Sequence, residues 1–192
     1  AAVEAGFAPW LGGLEWINFG GGHHITRPDY QVDDLIRLIH DFRRRSTLDV
    51  DPEPDEAIPL DAGLLVAEVL DVTWNGMDIA ILDTSATCHM PDVLETPYRP
   101  AVAGAADPGH WSHDYRLAGR TCLTGDVIGY YSFPQPLRGG DRLLFHDMAI
   151  YTLVKNTTFN GLPLPAIALW NSDTDDLRLI KTFGYEDFRG RL

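Results

Sequence analysis

The apolar residues of the chain follow two rhythms, which change near residue 57. In the first stretch, Leu14-Glu15-Trp16-Ile17-Asn18-Phe19 is a short aromatic-rich run that reads as a buried strand, and it ends in Gly20-Gly21-Gly22-His23-His24. Val32, Leu35, Ile36, Ile39 and Phe42 then recur at the i, i+3, i+4, i+7, i+10 spacing of one helix face, with Asp29 as the expected N-cap. Asp33 and Asp34 in its first turn and Arg43, Arg44 and Arg45 in its last suit the helix dipole. A helix over residues 1–10, a strand over 47–50 and the turn-rich Asp51-Pro52-Glu53-Pro54-Asp55 complete an alternating α and β order. Such an order belongs to an α/β barrel or a doubly wound sheet. Two strands close neither, so residues 1–56 are expected to be the tail of a larger α/β domain.

Beyond residue 57 the spacing turns to that of strands. Runs at 64–74 and 77–82 flank Asn75-Gly76, a pair suited to a type I′ hairpin because both central positions of that turn need positive φ. Further strand-like runs at 126–131, 142–145, 165–170 and 177–183 are separated by Gly139-Gly140-Asp141, Asn160-Gly161 and Asn171-Ser172-Asp173. No helical period is convincing here, which predicts a β sandwich or barrel over residues 57–192. The Ala, Gly and Pro-rich stretch 100–115 reads as a surface loop.

Composition narrows the function classes. A net charge of −13 over 192 residues leaves no basic stripe for nucleic acid and suits a cationic ligand, although an acidic solvated surface accounts for the charge equally well. No apolar run is long enough to span a bilayer, and a cytoplasmic protein is expected. The chain opens at Ala1 inside a helical pattern, without an initiator Met or a leader, as a segment of a longer polypeptide would. Its two cysteines, Cys88 and Cys122, make neither a disulfide framework nor a four-ligand zinc set.

Several residues carry chemistry by type and place. Gly20, Gly21 and Gly22 at a strand's end let backbone N–H groups approach an anion, the form of a phosphate cup; a tight loop under a sheet is the alternative. Cys122 lies in the small, polar Gly119-Arg120-Thr121-Cys122-Leu123-Thr124-Gly125-Asp126, where a proton donor or nucleophile fits beside an ordinary structural cysteine. Glu53 and Glu56 follow the last α/β strand, where barrel enzymes place catalytic groups and where solvated loop acids also occur. Cys88-His89 with Asp83 and Asp92 nearby is a weak metal pattern, because no second Cys/His cluster completes a shell. Tyr151, after a strand-like 147–150, is either a phosphate contact or a packed tyrosine.

Together, Phe19-Gly20-Gly21-Gly22-His23-His24-Ile25-Thr26, Glu53-Pro54-Asp55-Glu56-Ala57, Cys88-His89-Met90-Pro91-Asp92-Val93-Leu94-Glu95, Thr121-Cys122-Leu123-Thr124-Gly125-Asp126 and Thr158-Phe159-Asn160-Gly161 resemble the carboxynorspermidine (carboxyspermidine) decarboxylases. These are pyridoxal-phosphate enzymes of the alanine racemase-like barrel fold, beside the ornithine and diaminopimelate decarboxylases. The likeness covers that family's C-terminal half. It implies a C-terminal piece of the cofactor-binding (β/α) barrel over residues 1–56 and a β domain over 57–192, a few residues of which return to the barrel.

The resemblance also implies roles. Gly20, Gly21, Gly22 and Tyr151 match the holders of the cofactor phosphate, and Glu53 matches the acid facing the pyridine nitrogen. Cys122 matches a cysteine that crosses a homodimer interface to protonate the carbanion carbon. Glu56, Asp92 and Asp83 match acids that meet the ammonium groups of a carboxylated polyamine. Three departures stand out: Asp55 for a turn glycine, Arg120 for a proline with Leu123 for an acid, and lysines (Lys155 and Lys181) that match no Schiff-base motif. The family's lysine lies in its N-terminal half, so the stretch is not expected to turn over alone. A diaminopimelate, ornithine or arginine decarboxylase, or a non-catalytic relative that binds partner subunits, are the alternatives.

Overall fold

The computed structural model describes residues 2–192, apart from the side chains of Ala2, Val3 and Asp55. The chain divides into two compact units, Ala1–Ile58 and Pro59–Leu192.

The first unit runs α1 (Ala2–Leu11), β1 (Trp16–Gly20), α2 (Val32–Arg45) and β2 (Asp49–Pro52), followed by a 3-10 turn at Asp55–Ala57. β1 and β2 pair in parallel, Trp16 opposite Asp49 and Asn18 opposite Asp51, so both strands end at the same edge. The helix expected from the apolar spacing is present, and Phe42 is its buried anchor, meeting Phe19 edge-on at 5.2 Å. Its N-cap is Gln31 rather than Asp29, because two turns closed by Tyr30 N–H to Arg27 and Val32 N–H to Tyr30 occupy residues 27–32. The helix of residues 1–10 is confirmed from Ala2 onward; Ala1 lies outside the described residues.

The second unit contains β3 (Leu64–Trp74), β4 (Asp78–Leu82), α3 (Ala86–His89), α4 (Asp92–Glu95), β5 (His113–Ala118), β6 (Val127–Phe133) and β7 (Arg142–His146), then α5 (Tyr151–Val154), β8 (Ile167–Asn171), β9 (Asp176–Lys181) and α6 (Tyr185–Arg189). Five strands form one sheet in the order β6-β5-β4-β3-β7, with β4 and β5 parallel and the other neighbours antiparallel. β8 and β9 form a separate antiparallel pair. Alternate residues supply the core: Ala67 and Val69 from β3, Tyr115 and Leu117 from β5, Leu143 and Phe145 from β7, with Met90 and Val93 added from the α3 and α4 region. The fold is therefore an α/β portion followed by a predominantly β sheet domain carrying a few short helices.

Four local expectations are corrected. The β3–β4 connection is a three-residue loop, Asn75-Gly76-Met77, between paired Trp74 and Asp78, and only Gly76 has positive φ (74°), so it is not a type I′ turn. Part of the expected surface loop is strand: β5 begins at His113 and buries Tyr115. Residues 83–95 contain two single-turn helices, too short to register as a period. The strand before Tyr151 ends at His146, and Tyr151 itself opens α5.

Candidate active site

In the first unit the carboxyl ends of β1 and β2 build one polar constellation. Gly20 and Gly22 have φ of 79° and 78°, a region that side-chain-bearing residues avoid, so glycine is a backbone requirement at these two positions. A Cβ at either would project into open space, leaving the loop's outer side accessible to a bound group. The Asn18 side chain ties the edge together: its Oδ1 accepts from the Gly20 N–H at 2.6 Å and its Nδ2 donates to Glu53 Oε1 at 2.6 Å. The Glu53 N–H also donates to the Gly20 carbonyl at 3.0 Å. Glu56 is part-buried and hydrogen-bonds the His24 Nδ1 at 3.2 Å. The structure thus brings Gly20, Gly21, Gly22, Glu53 and Glu56 to the paired strand ends.

This donor set fits a phosphorylated pyridine cofactor. A glycine loop without side chains lets a phosphate approach its backbone, and an acid oriented just past the end of the adjacent strand offers a proton acceptor to a ring nitrogen. The signal of Asn18 in the sequence is an amide within an aromatic, apolar run that leads into glycines.

In the second unit Cys122 is exposed, and its backbone N–H donates to the Asn160 Oδ1 at 2.8 Å. Asp83 is occupied locally, its Oδ1 accepting from the Glu68 N–H at 2.8 Å. Asp92 and Glu95 both receive the Lys155 ammonium. Those hydrogen bonds, Asp92 foremost, raise the Lys155 pKa above the ordinary lysine range. The same ammonium lies 5.2 Å from the ring of Tyr151, which is itself exposed. Asp92, which the resemblance assigns to a substrate ammonium, is thus already paired with a cation of this chain.

Cys88 and His89 turn inward. Burial pushes the Cys88 thiol's pKa up, and the thiol donates to the Phe159 carbonyl at 3.4 Å. His89 Nε2–H donates to the Pro163 carbonyl at 3.2 Å, which leaves Nδ1 to accept the Thr84 hydroxyl at 3.0 Å. Desolvation lowers the His89 pKa. Among the described residues no group of three or more His, Cys, Asp or Glu side chains is placed to hold a metal ion, and no helix is long and apolar enough to cross a membrane.

An α/β edge with a glycine loop and an oriented acid, followed in sequence by a mixed five-stranded sheet domain, is the arrangement that the resemblance to pyridoxal-dependent decarboxylases implies. Residues 23–149 match the family described as pyridoxal-dependent decarboxylase, C-terminal sheet domain, and the chain belongs to that family. It is 42% identical to a carboxynorspermidine/carboxyspermidine decarboxylase of Campylobacter jejuni, covering 95% of this chain and 50% of that protein. It is 46% identical to a carboxyaminopropylagmatine decarboxylase of Synechocystis sp., covering 99% and 49% respectively. The crystal structure of the Campylobacter jejuni carboxynorspermidine decarboxylase with norspermidine superposes with a TM-score of 0.86 at 42% identity, over 98% of this chain and 54% of the other. A diaminopimelate decarboxylase of Helicobacter pylori, at 19% identity and a TM-score of 0.74, shares the fold. The chain spans about half the length of the curated relatives it matches.

Proposed function

We propose that the protein carrying this chain decarboxylates a carboxylated polyamine, carboxynorspermidine or carboxyspermidine, with pyridoxal phosphate, as a homodimer. The observation that carries the proposal is the Asn18 bridge, which fixes the Glu53 carboxyl and the glycine loop to one another at the two strand ends. When bound, the cofactor supplies an electron sink for the carbon that loses CO₂.

The chain's own residues do the rest. The Gly20 to Gly22 loop, without side chains on its open side, takes the phosphate, and Tyr151 adds its hydroxyl. Glu53, oriented by Asn18, holds a proton at the pyridine nitrogen. Glu56 takes a substrate ammonium, and Asp92, exchanging its Lys155 partner for a substrate amine, and Asp83, through the oxygen not engaged by the Glu68 N–H, receive the remaining amines. Cys122, contributed by the second subunit of the dimer, returns a proton to the carbon. A second substrate is favoured by the 46% identity to the carboxyaminopropylagmatine decarboxylase: a carboxylated chain ending in a guanidinium, which bidentate carboxylates hold well.

The test is a substrate panel on the natural polypeptide loaded with cofactor. CO₂ release from carboxynorspermidine, carboxyspermidine or carboxyaminopropylagmatine, exceeding that from ornithine and diaminopimelate, is the expected result. The two polyamines differ by one methylene and should separate by only about 10–200-fold in kcat/KM. Turnover of ornithine or diaminopimelate alone would overturn the substrate class, and no turnover of any would leave a binding role.

A further inference from the structure

Three stretches that stand out in the sequence, residues 83–95, 121–126 and 157–161, are joined by a closed circuit of hydrogen bonds whose function neither the cofactor site nor the sheet explains. Asp126 is its buried hub, 3% exposed. Four donors meet its carboxyl: the Ser85 hydroxyl at 2.9 Å, the Thr87 N–H at 3.1 Å, the Thr121 N–H at 3.1 Å and the Thr121 hydroxyl at 2.7 Å. Gly119 permits the approach, since a Cβ there would fall 2.3 Å from Asp126 Oδ2. Ser85 passes the circuit on by accepting from the Cys88 N–H at 3.1 Å. Cys88 then grips the third stretch twice: its thiol donates to Phe159 O, and its carbonyl accepts the Thr157 N–H at 2.8 Å. Asn160, next to Phe159, closes the circuit on the Cys122 N–H at 2.8 Å. It holds φ at 57°, which asparagine tolerates better than most residues.

Cys122 is therefore gripped on both sides. Asp126 fixes the peptide and hydroxyl of Thr121, Asn160 fixes the amide of Cys122 itself, and the two grips are braced against each other through Ser85 and Cys88. The thiol is left exposed on a backbone that is not free to swing. An exposed polar loop that needed only to connect two strands would require neither a buried acid nor a partner from 38 residues away.

We infer that Asn160 and Asp126 are positioning residues for Cys122, holding its thiol to one face of the carbon it protonates; the inference rests on the proposed proton-donor role of Cys122. In that step the carbon keeps the electron pair of the bond broken as CO₂ departs, the S–H bond breaks, a C–H bond forms with that proton, and the thiolate regains a proton from solvent. A fixed donor delivers to one face, and a loose one delivers to both.

The test centres on Asn160, because replacing the buried Asp126 puts the fold at risk. Asn160→Gly keeps the positive φ and removes the acceptor, whereas Asn160→Asp keeps an oxygen there. Hydrogen exchange of the full chain is expected to show the Cys122 amide exchanging at least about tenfold faster in Asn160→Gly, with amides of the five-stranded sheet unchanged and Asn160→Asp restoring protection. Turnover of the natural holoenzyme in D₂O is expected to give product deuterated in a single configuration for the natural sequence and for Asn160→Asp, and in mixed configuration for Asn160→Gly. Unchanged exchange and configuration in Asn160→Gly would overturn the clamp. A single configuration retained in Cys122→Ala would instead overturn the donor role, and with it the purpose of the clamp, while the exchange data still report the grip itself.

Discussion

The two units hold their functional groups by different means. In Ala1–Ile58, Phe42 and Leu48 are the buried apolar side chains among the described residues, and large ones such as Trp10, Trp16, Ile36 and Ile58 are exposed. In Pro59–Leu192 a cluster of sixteen buried residues fills the space over the sheet. Within this stretch, which belongs to a chain spanning about half the length of its relatives, the contacts that hold the glycine loop and Glu53 together are local ones such as those of Asn18. The second unit packs its own core and anchors the polar circuit there through Asp126, Ser85 and Cys88, where bonds gain from exclusion of water, while its last link, Asn160 to the Cys122 N–H, lies at the surface.

The largest expected effect lies in the core of the second unit. Phe145→Ala, at a fully buried site, should lower the unfolding free energy by about 3–5 kcal/mol in urea titration. Phe42→Ala should cost distinctly less, and equal costs would deny that the units differ. Next in size, Asp126→Asn sets an amide N–H₂ against N–H and O–H donors and should destabilise by about 1–3 kcal/mol, read by the same titration. Asn18→Ala sharpens the contrast from the other side. Its bonds are exposed, so stability should fall by less than about 1 kcal/mol while the natural holoenzyme's affinity for pyridoxal phosphate, followed by cofactor absorbance, weakens.

The smallest effect concerns His89, whose folded pKa lies below the ordinary histidine value because it is buried. The unfolded chain then takes up a proton that the folded chain resists, so stability is complete above about pH 6.5 and falls as the pH drops below it. The slope contributed is at most about 1.4 kcal/mol per pH unit, and it should vanish in His89→Gln when urea midpoints are compared between pH 7.5 and 5.5.

Much of the fold was legible where a period was long enough to count. The helix Val32–Arg45 and strands β3, β4, β6 and β7 follow from spacing alone, and the need for glycine at 20 and 22 was visible in their succession. β5 escaped because His113-Asp114-Tyr115-Arg116-Leu117-Ala118 shows only two large apolar residues, directly after a run of Pro and Gly that reads as loop. Of the candidate site, the glycine run, Glu53 and Glu56 at the paired strand ends were legible from type and position. Asp126 and Asn160 were not, because a buried acid or an acceptor amide acquires meaning only from partners 38 to 41 positions away. Lys155 was hidden for the same reason: nothing local to it announces that Asp92 and Glu95, some sixty residues earlier, share its ammonium.

The circuit around Asp126 also sets an order of events during synthesis. The strands of the five-stranded sheet are all made by His146, and that sheet can form as soon as they emerge from the ribosome. The grip on Cys122 cannot close then, because Thr157, Phe159 and Asn160 are still to come. A nascent chain halted before residue 157 would have its whole sheet and a slack cysteine loop. The Cys122 loop is thus fixed last, by a segment that adds nothing to the sheet itself.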